Sequence, residues 1–194
     1  MNVDPLQSRV LWFVLGNVFS VVTTFLSKAV WSWYTRPILT LSHSRETDDV
    51  TVIGVRNTGK TGADGCTGRL LLDVETSAVL PAGPDRNRIV EQIGEEELIS
   101  ELCWYGRPMT ENKNINVEAT AYLCLWRETE EGIELPSSDG FDTPTAVLSG
   151  ISETYNGSIP GELVVTSENT DPVRRKVAID VGDVGTDLVF PHES

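Results

Sequence analysis

Three acidic runs and four aromatic side chains hold most of the capacity for chemistry in this chain. The run Asp180-Val181-Gly182-Asp183-Val184-Gly185-Thr186-Asp187 sets three carboxylates among glycines. Calcium takes oxygen ligands from such turns, but the spacing departs from the EF-hand pattern, so the run reads as an acidic, solvent-exposed turn. Glu95-Glu96-Glu97 and the Glu-rich run over 128–131 read as solvated surface. Paired carboxylates hydrolyse glycosides only where one is held as the acid and the other as the base across a cleft, and nothing in the sequence separates their environments. There is no Gly-rich phosphate loop, HExxH helix or nucleophile elbow, and His43 and His192 stand alone near element ends. The expectation is a non-enzymatic protein with no cofactor and no metal. The aromatics Tyr105, Tyr122, Trp126 and Phe141 are candidate ligand contacts for a groove that takes carbohydrate or protein, with Trp126 alternatively covering a sheet edge.

Cys66, Cys103 and Cys124 form an odd, sparse set without a CxxC pair. Cys103 and Cys124 fall inside expected strands, where an unpaired cysteine acts as a small core hydrophobe. A Cys103–Cys124 bridge is the alternative, and it would point to an oxidising compartment.

The elements that must position these residues read as strands. Over 115–125, Ile115, Val117, Ala119, Ala121, Leu123 and Leu125 alternate with Asn116, Glu118, Thr120, Tyr122 and Cys124, as in a half-buried strand. The same period runs over 173–181. Further strands are expected over 38–43, 50–57, 68–75, 98–104 and 162–167, with shorter ones over 88–93, 146–148 and 188–190. Asn57-Thr58-Gly59, Gly106-Arg107-Pro108, Asp139-Gly140 and Asn169-Thr170-Asp171-Pro172 supply turns between them. Seven or more short strands without crossover helices favour a β-sandwich, with a barrel as the alternative. The polar stretch 135–145, with two prolines and no stable period, is expected as a mobile excursion, and 77–92 and 136–158 as long connections available for contacts.

The amino-terminal quarter is different. Residues 10–34 form one apolar segment whose first charge is Lys28. As a helix these residues span roughly 37 Å, enough for a bilayer core of roughly 30 Å. Trp12 near one end and Lys28, Trp31, Trp33 and Tyr34 at the other suit the headgroup region as interfacial anchors. Gly16, Ser20 and Thr24 recur every four residues with Asn17 beside them, a small-residue face for packing against a second copy or a partner membrane helix. The counter-reading is that the hydroxyls bond carbonyls of their own helix. An interfacial amphipathic helix is the alternative to a span, and a cleaved signal peptide is disfavoured by the continuation into Trp31-Ser32-Trp33-Tyr34. The flanking positive charges favour, by about one charge, a cytoplasmic location for the following domain.

Charge bounds the partners. The chain carries −14 at neutral pH, and taking away Asp4, Arg9, Lys28 and Arg36 leaves 12 basic and 28 acidic residues, a net of −16 beyond position 36. Such a surface repels nucleic acid. Lys28, Lys60, Lys113 and Lys176 are the only lysines, and abundant carboxylates with scarce lysine resemble the proteins of salt-accumulating halophilic archaea.

Arg36-Pro37, the strand leading into Val55-Arg56-Asn57-Thr58-Gly59-Lys60, then Ala63, Cys66 and Leu70, with Leu102-x-Trp104 and a closing strand pair, resemble an immunoglobulin-like β-sandwich module of archaeal and bacterial membrane-associated proteins. The resulting expectation is an all-β immunoglobulin-like sandwich over 35–190, preceded by a tail over 1–9 and one transmembrane α-helix over 10–34, and followed by a tail over 191–194. The expected role is a single-pass membrane-anchored structural or protein-interaction module, in contact with lipid and with a second copy or a partner membrane protein. The alternative role is an extracellular carbohydrate- or protein-binding module.

Overall fold

A computed structural model describes residues 5–74, 79–81, 97–130, 132–142, 144–148, 157–182 and 185–190. The chain divides into two compact units, Met1–Arg36 and Pro37–Ser194.

The first unit holds helix α1, Pro5–Thr35. Among the described residues, no helix is long and apolar enough to cross a membrane. The helix side chains described begin at Asn17, and there Asn17, Ser20, Thr23, Thr24, Ser27 and Lys28 stand among the apolar residues. This finding corrects the expected transmembrane helix over 10–34. It equally corrects the single-pass membrane localisation with a cytoplasmic domain, and lipid or a membrane protein as partner. The hydroxyls bond within the helix. Thr24 Oγ1 donates to the Ser20 carbonyl at 2.8 Å, Thr23 Oγ1 to Phe19 at 2.9 Å and Ser27 Oγ to Thr23 at 2.6 Å.

The second unit is a β-sandwich of two opposing antiparallel sheets. Its strands are β1 Leu39–Thr47, β2 Val50–Asn57, β3 Ala63–Asp73, β4 Val79–Pro81, β5 Glu97–Leu102, β6 Lys113–Ile115, β7 Thr120–Thr129, β8 Gly132–Leu135, β9 Ala146–Leu148, β10 Ser158–Ser167, β11 Thr170–Gly182 and β12 Gly185–Val189. One sheet runs β1-β2-β7-β8-β9-β4; the other runs β12-β11-β10-β3-β5, with β6 pairing β3. The strand expected over 88–93 lies outside the described residues.

Alternation builds the core. Ile53 and Val55 of β2 and Leu123 of β7 meet Leu70 and Leu72 of β3, Leu163 and Val165 of β10, and Val177 and Ile179 of β11 between the sheets. Two departures from simple alternation place the functional residues. Residues 115–125 are two strands, not one: Ile115 pairs with β3, whereas β7 begins at Thr120 and pairs with β2. Glu118 sits between them at φ 59, so the chain turns and changes sheet while its apolar period continues unbroken. Farther along β7 there is a bulge, since Thr51 faces Trp126 and Val52 faces Cys124. The extra residue, Leu125, reverses the facing of everything beyond it, and Trp126 turns into the main core.

Sheet packing also fixes one glycine. A Cβ on Gly161 would land inside the van der Waals shell of the Leu71 carbonyl oxygen, with Leu72 Cδ2 2.8 Å away. A backbone carbonyl held in the β3–β10 ladder cannot swing aside. Gly161→Ala is therefore expected to destabilise the sandwich by about 2 kcal/mol, read as a lower urea midpoint with an unchanged slope.

Candidate functional site

The outer face of the first sheet carries its own small apolar cluster. Val50, Val52, Cys103, Cys124 and Phe141 are buried there, with Tyr105, Met109 and Tyr122 packed on them. Three connections converge over this cluster. The β1–β2 turn is Asp48-Asp49, closed by the Thr47–Val50 pair, and both aspartates have positive φ (50° and 63°). Two-residue hairpin turns of this hand favour Asn, Asp or Gly at the first position and Gly at the second, so the strain falls on Asp49. The second connection is the loop 105–109, pinned where Trp104 pairs on one side with Thr110 and on the other with Leu123. The third is 137–142, a tight turn in which Ser137 and Gly140 exchange backbone hydrogen bonds of 2.9 and 3.0 Å. Within the excursion expected over 135–145, residues 137–140 form a hydrogen-bonded turn that leads into Phe141.

Between them lies a cleft of about 610 Å³, lined by Asp48, Asp49, Tyr105, Arg107, Met109, Arg127, Asp139, Phe141 and Asp142 among others. Four carboxylates face two guanidinium groups. Arg127 is already committed, since its Nε and Nη2 donate to Glu134 Oε2 at 3.0 and 2.6 Å and its Cζ lies 5.0 Å from the Phe141 ring centroid. The cleft is therefore acidic, with Arg107 as the remaining cation in its lining.

The Tyr105 hydroxyl donates to Asp48 Oδ2 at 2.5 Å. That hydrogen bond is the main cause that holds the phenol's pKa above its ordinary value, with desolvation adding to it and Arg107 opposing. Because the folded-state pKa is raised, the stabilisation it reports is complete below the unfolded-state value of about 10 and fades as pH rises through the folded-state value. In a spectrophotometric alkaline titration, Asp48→Asn is expected to move one tyrosine from the late-ionising group back towards the ordinary range. An unchanged titration would show that Asp48 does not hold the phenol.

The four candidate aromatics separate. Tyr105 and Phe141 line the cleft. Phe141 is 8% exposed and lies beneath Arg127, and Tyr122 lies under the Arg45 guanidinium at 3.9 Å. Trp126 is fully buried in the main core, and its Nε1 is the one buried side-chain nitrogen without a partner among the described residues. Only Tyr105 combines partial exposure with an uncapped ring. Of the other candidate residues, Lys28, Trp31, Trp33 and Tyr34 are exposed on α1, and Arg36 Cζ lies 5.7 Å from the Trp33 ring centroid. Trp12 and Gly16 are described only as part of the α1 backbone, and Asp183 and Glu95 lie outside the described residues.

Sequence reasoning did not assemble the aspartates. Asp48-Asp49 carried a signal, a polar pair between two strand-like runs. Arg127, Asp139 and Asp142 carried none, because they meet only through the bulge in β7 and the turn at 137–140. Among the described residues, no three His, Cys, Asp or Glu side chains are grouped to hold a metal ion. No family model matches the chain, and no curated protein matches it as a relative.

Proposed function

We propose that the sandwich is a non-enzymatic binding module that takes a cationic segment of a protein partner into the cleft between the Asp48-Asp49 turn and the loops at 105–109 and 137–142. The observation carrying this reading is the pairing of four carboxylates with apolar walls at a turn held in a strained conformation. Lysine and arginine side chains supply both halves of the match, an apolar stem for Met109 and Tyr105 and a charged head for the aspartates. Protein is favoured over carbohydrate because sugar rings stack on open aromatic faces, and guanidinium groups cover those of Phe141 and Tyr122. In finer terms, we read the sandwich as an immunoglobulin-like module of a salt-adapted source. The support is the Asn57-Thr58-Gly59 reversal and the acidic, lysine-poor composition. In molar salt the Debye length falls to about 3 Å, so recognition would depend on direct contact within the cleft.

The test is titration with an arginine- and lysine-rich peptide, a glutamate-rich peptide of equal length and a panel of neutral oligosaccharides. The basic peptide alone should bind, and a double Asp49→Asn, Asp142→Asn variant should lose about tenfold in affinity, corresponding to about 1.4 kcal/mol. Equal binding of the acidic peptide, an unaffected double variant or selective oligosaccharide binding would each defeat the reading.

A further inference from the structure

We infer that Cys103 and Cys124 are a reversible dithiol–disulfide site, closed by a small peroxide and independent of what the cleft binds. Residues 103–105 lie antiparallel along β7: Trp104 bridges Leu123, Cys124 N donates to Cys103 O at 2.9 Å, and Tyr105 N donates to Tyr122 O at 2.8 Å. This register sets Cys103 opposite Cys124. Opposed residues of a hydrogen-bonded antiparallel pair have Cα atoms about 5.5 Å apart and project to the same side of the sheet. That separation lies inside the range of about 4.4–6.8 Å that a disulfide spans. Both cysteines are free, fully buried, and members of the cluster beneath the cleft. Cys103 Sγ lies 3.7 Å from Met109 Sδ, and Met109 forms part of the cleft wall, so this side chain runs from the cleft to the pair.

The two thiols are not equivalent. The neighbouring Cys124 thiol lowers the pKa of Cys103 against the opposing effect of burial, whereas the proximity of Cys103 and burial both raise that of Cys124. Cys103 is thus the thiol that ionises first, and the thiolate is the nucleophile. Its sulfur attacks one oxygen of hydrogen peroxide. The O–O bond breaks, leaving a sulfenic acid on Cys103 and a hydroxide that takes up the proton Cys103 released. The Cys124 sulfur then displaces the sulfenic oxygen, forming the S–S bond. That oxygen leaves as water with the Cys124 proton. Two thiols and one peroxide give one disulfide and two waters, with two electrons passing from sulfur to oxygen.

Cys66 is the internal control. It is buried in the main core, its Sγ is 3.7 Å from the Ala63 carbonyl oxygen, and it has no cysteine beside it. The experiment exposes the folded full chain to hydrogen peroxide, blocks the remaining thiols under denaturing conditions, and maps peptides without reduction. The expected product has lost two hydrogens, carries a 103–124 cross-link that a dithiol reductant reverses, and retains an alkylatable Cys66. Cys124→Ala should accumulate a sulfenic acid at Cys103 that a dimedone probe traps, and Cys103→Ala should give no trapped species at Cys124. If peroxide adds oxygen to the wild-type chain without a cross-link, or the cross-link involves Cys66 or a second chain, the inference is overturned. The wild-type peptide map decides this even if either variant folds poorly.

Discussion

Trp104→Ala is expected to cost about 4 kcal/mol of folding stability, the upper part of the range for emptying a large aromatic site. Trp104 is 1% exposed and belongs to the main core. Its Nε1 donates to the Cys66 carbonyl at 2.8 Å, and its backbone pairs with Thr110 and Leu123. It is thus the point at which the chain leaves the β3–β5 ladder, joins the edge of β7 and projects the 105–109 loop over the cleft. Trp104→Phe retains much of the volume but orphans the Cys66 carbonyl, so it should cost about 2 kcal/mol. Natural domains hold only about 5–15 kcal/mol in total, so the alanine variant should be partly unfolded at moderate temperature. Urea unfolding measures the totals. In hydrogen exchange, faster loss of the Tyr105 and Thr110 amides than of the β10–β11 amides would locate the damage at the loop. Uniform acceleration across both sheets would argue against Trp104 as the local pivot.

The second large effect is expected at Asn57, a fully buried polar residue at the end of β2. Its Nδ2 donates to the Thr61 and Ile115 carbonyls at 2.8 and 3.0 Å, and its Oδ1 accepts from Gly59 N and Ile38 N at 3.0 and 3.2 Å. The backbone joins in, with Asn57 N donating to Ala119 O and Glu118 N to Asn57 O. One side chain therefore ties the start of β1, the 57–61 reversal and the passage from β6 to β7. Asn57→Leu is nearly isosteric, yet it removes all four side-chain hydrogen bonds, two of them buried. A loss of about 4 kcal/mol follows. Asn57→Asp should be at least as damaging at neutral pH, because a carboxylate oxygen would face two carbonyl oxygens. The neighbour Thr58 is the contrast: its exposed hydroxyl makes a single 3.3 Å bond to Ile38 O, and Thr58→Ala should stay within about 0.5 kcal/mol. Similar losses for Asn57→Leu and Thr58→Ala would remove the case for a clamp.

Strand alternation was the most legible property of the chain. β2 and β9 occupy the expected residues 50–57 and 146–148, because period-two runs bounded by turn residues leave a strand few other ways to bury one face. The same rule failed wherever register changed. Tyr122, Cys124 and Trp126 share parity, yet the bulge at Leu125 keeps the first two on the outer cluster and turns the third into the core. Residues 115–125 look like a single strand, because Ile115 in one sheet and Leu123 in the other are both buried and the turn between them preserves the period. The short β8 carries two buried residues, Ile133 and Leu135, directly after an acidic run, too few to register as a pattern. The apolar length over 10–34 suggested a membrane span, whereas among the described residues no helix is long and apolar enough to form one.

What the sequence determined by itself was local: an all-β sandwich, an acidic and lysine-poor composition, and Asn57 at a chain reversal. Each follows from interactions within a few residues or from summed charge. The tertiary structure alone decided which carboxylates face one cleft, which aromatics remain open and that two cysteines lie opposite each other. These depend on contacts between residues 48, 105, 127 and 141, far apart along the chain. A single extra residue in a ladder reverses every side chain beyond it, so small local changes in register set large differences in what meets at the site.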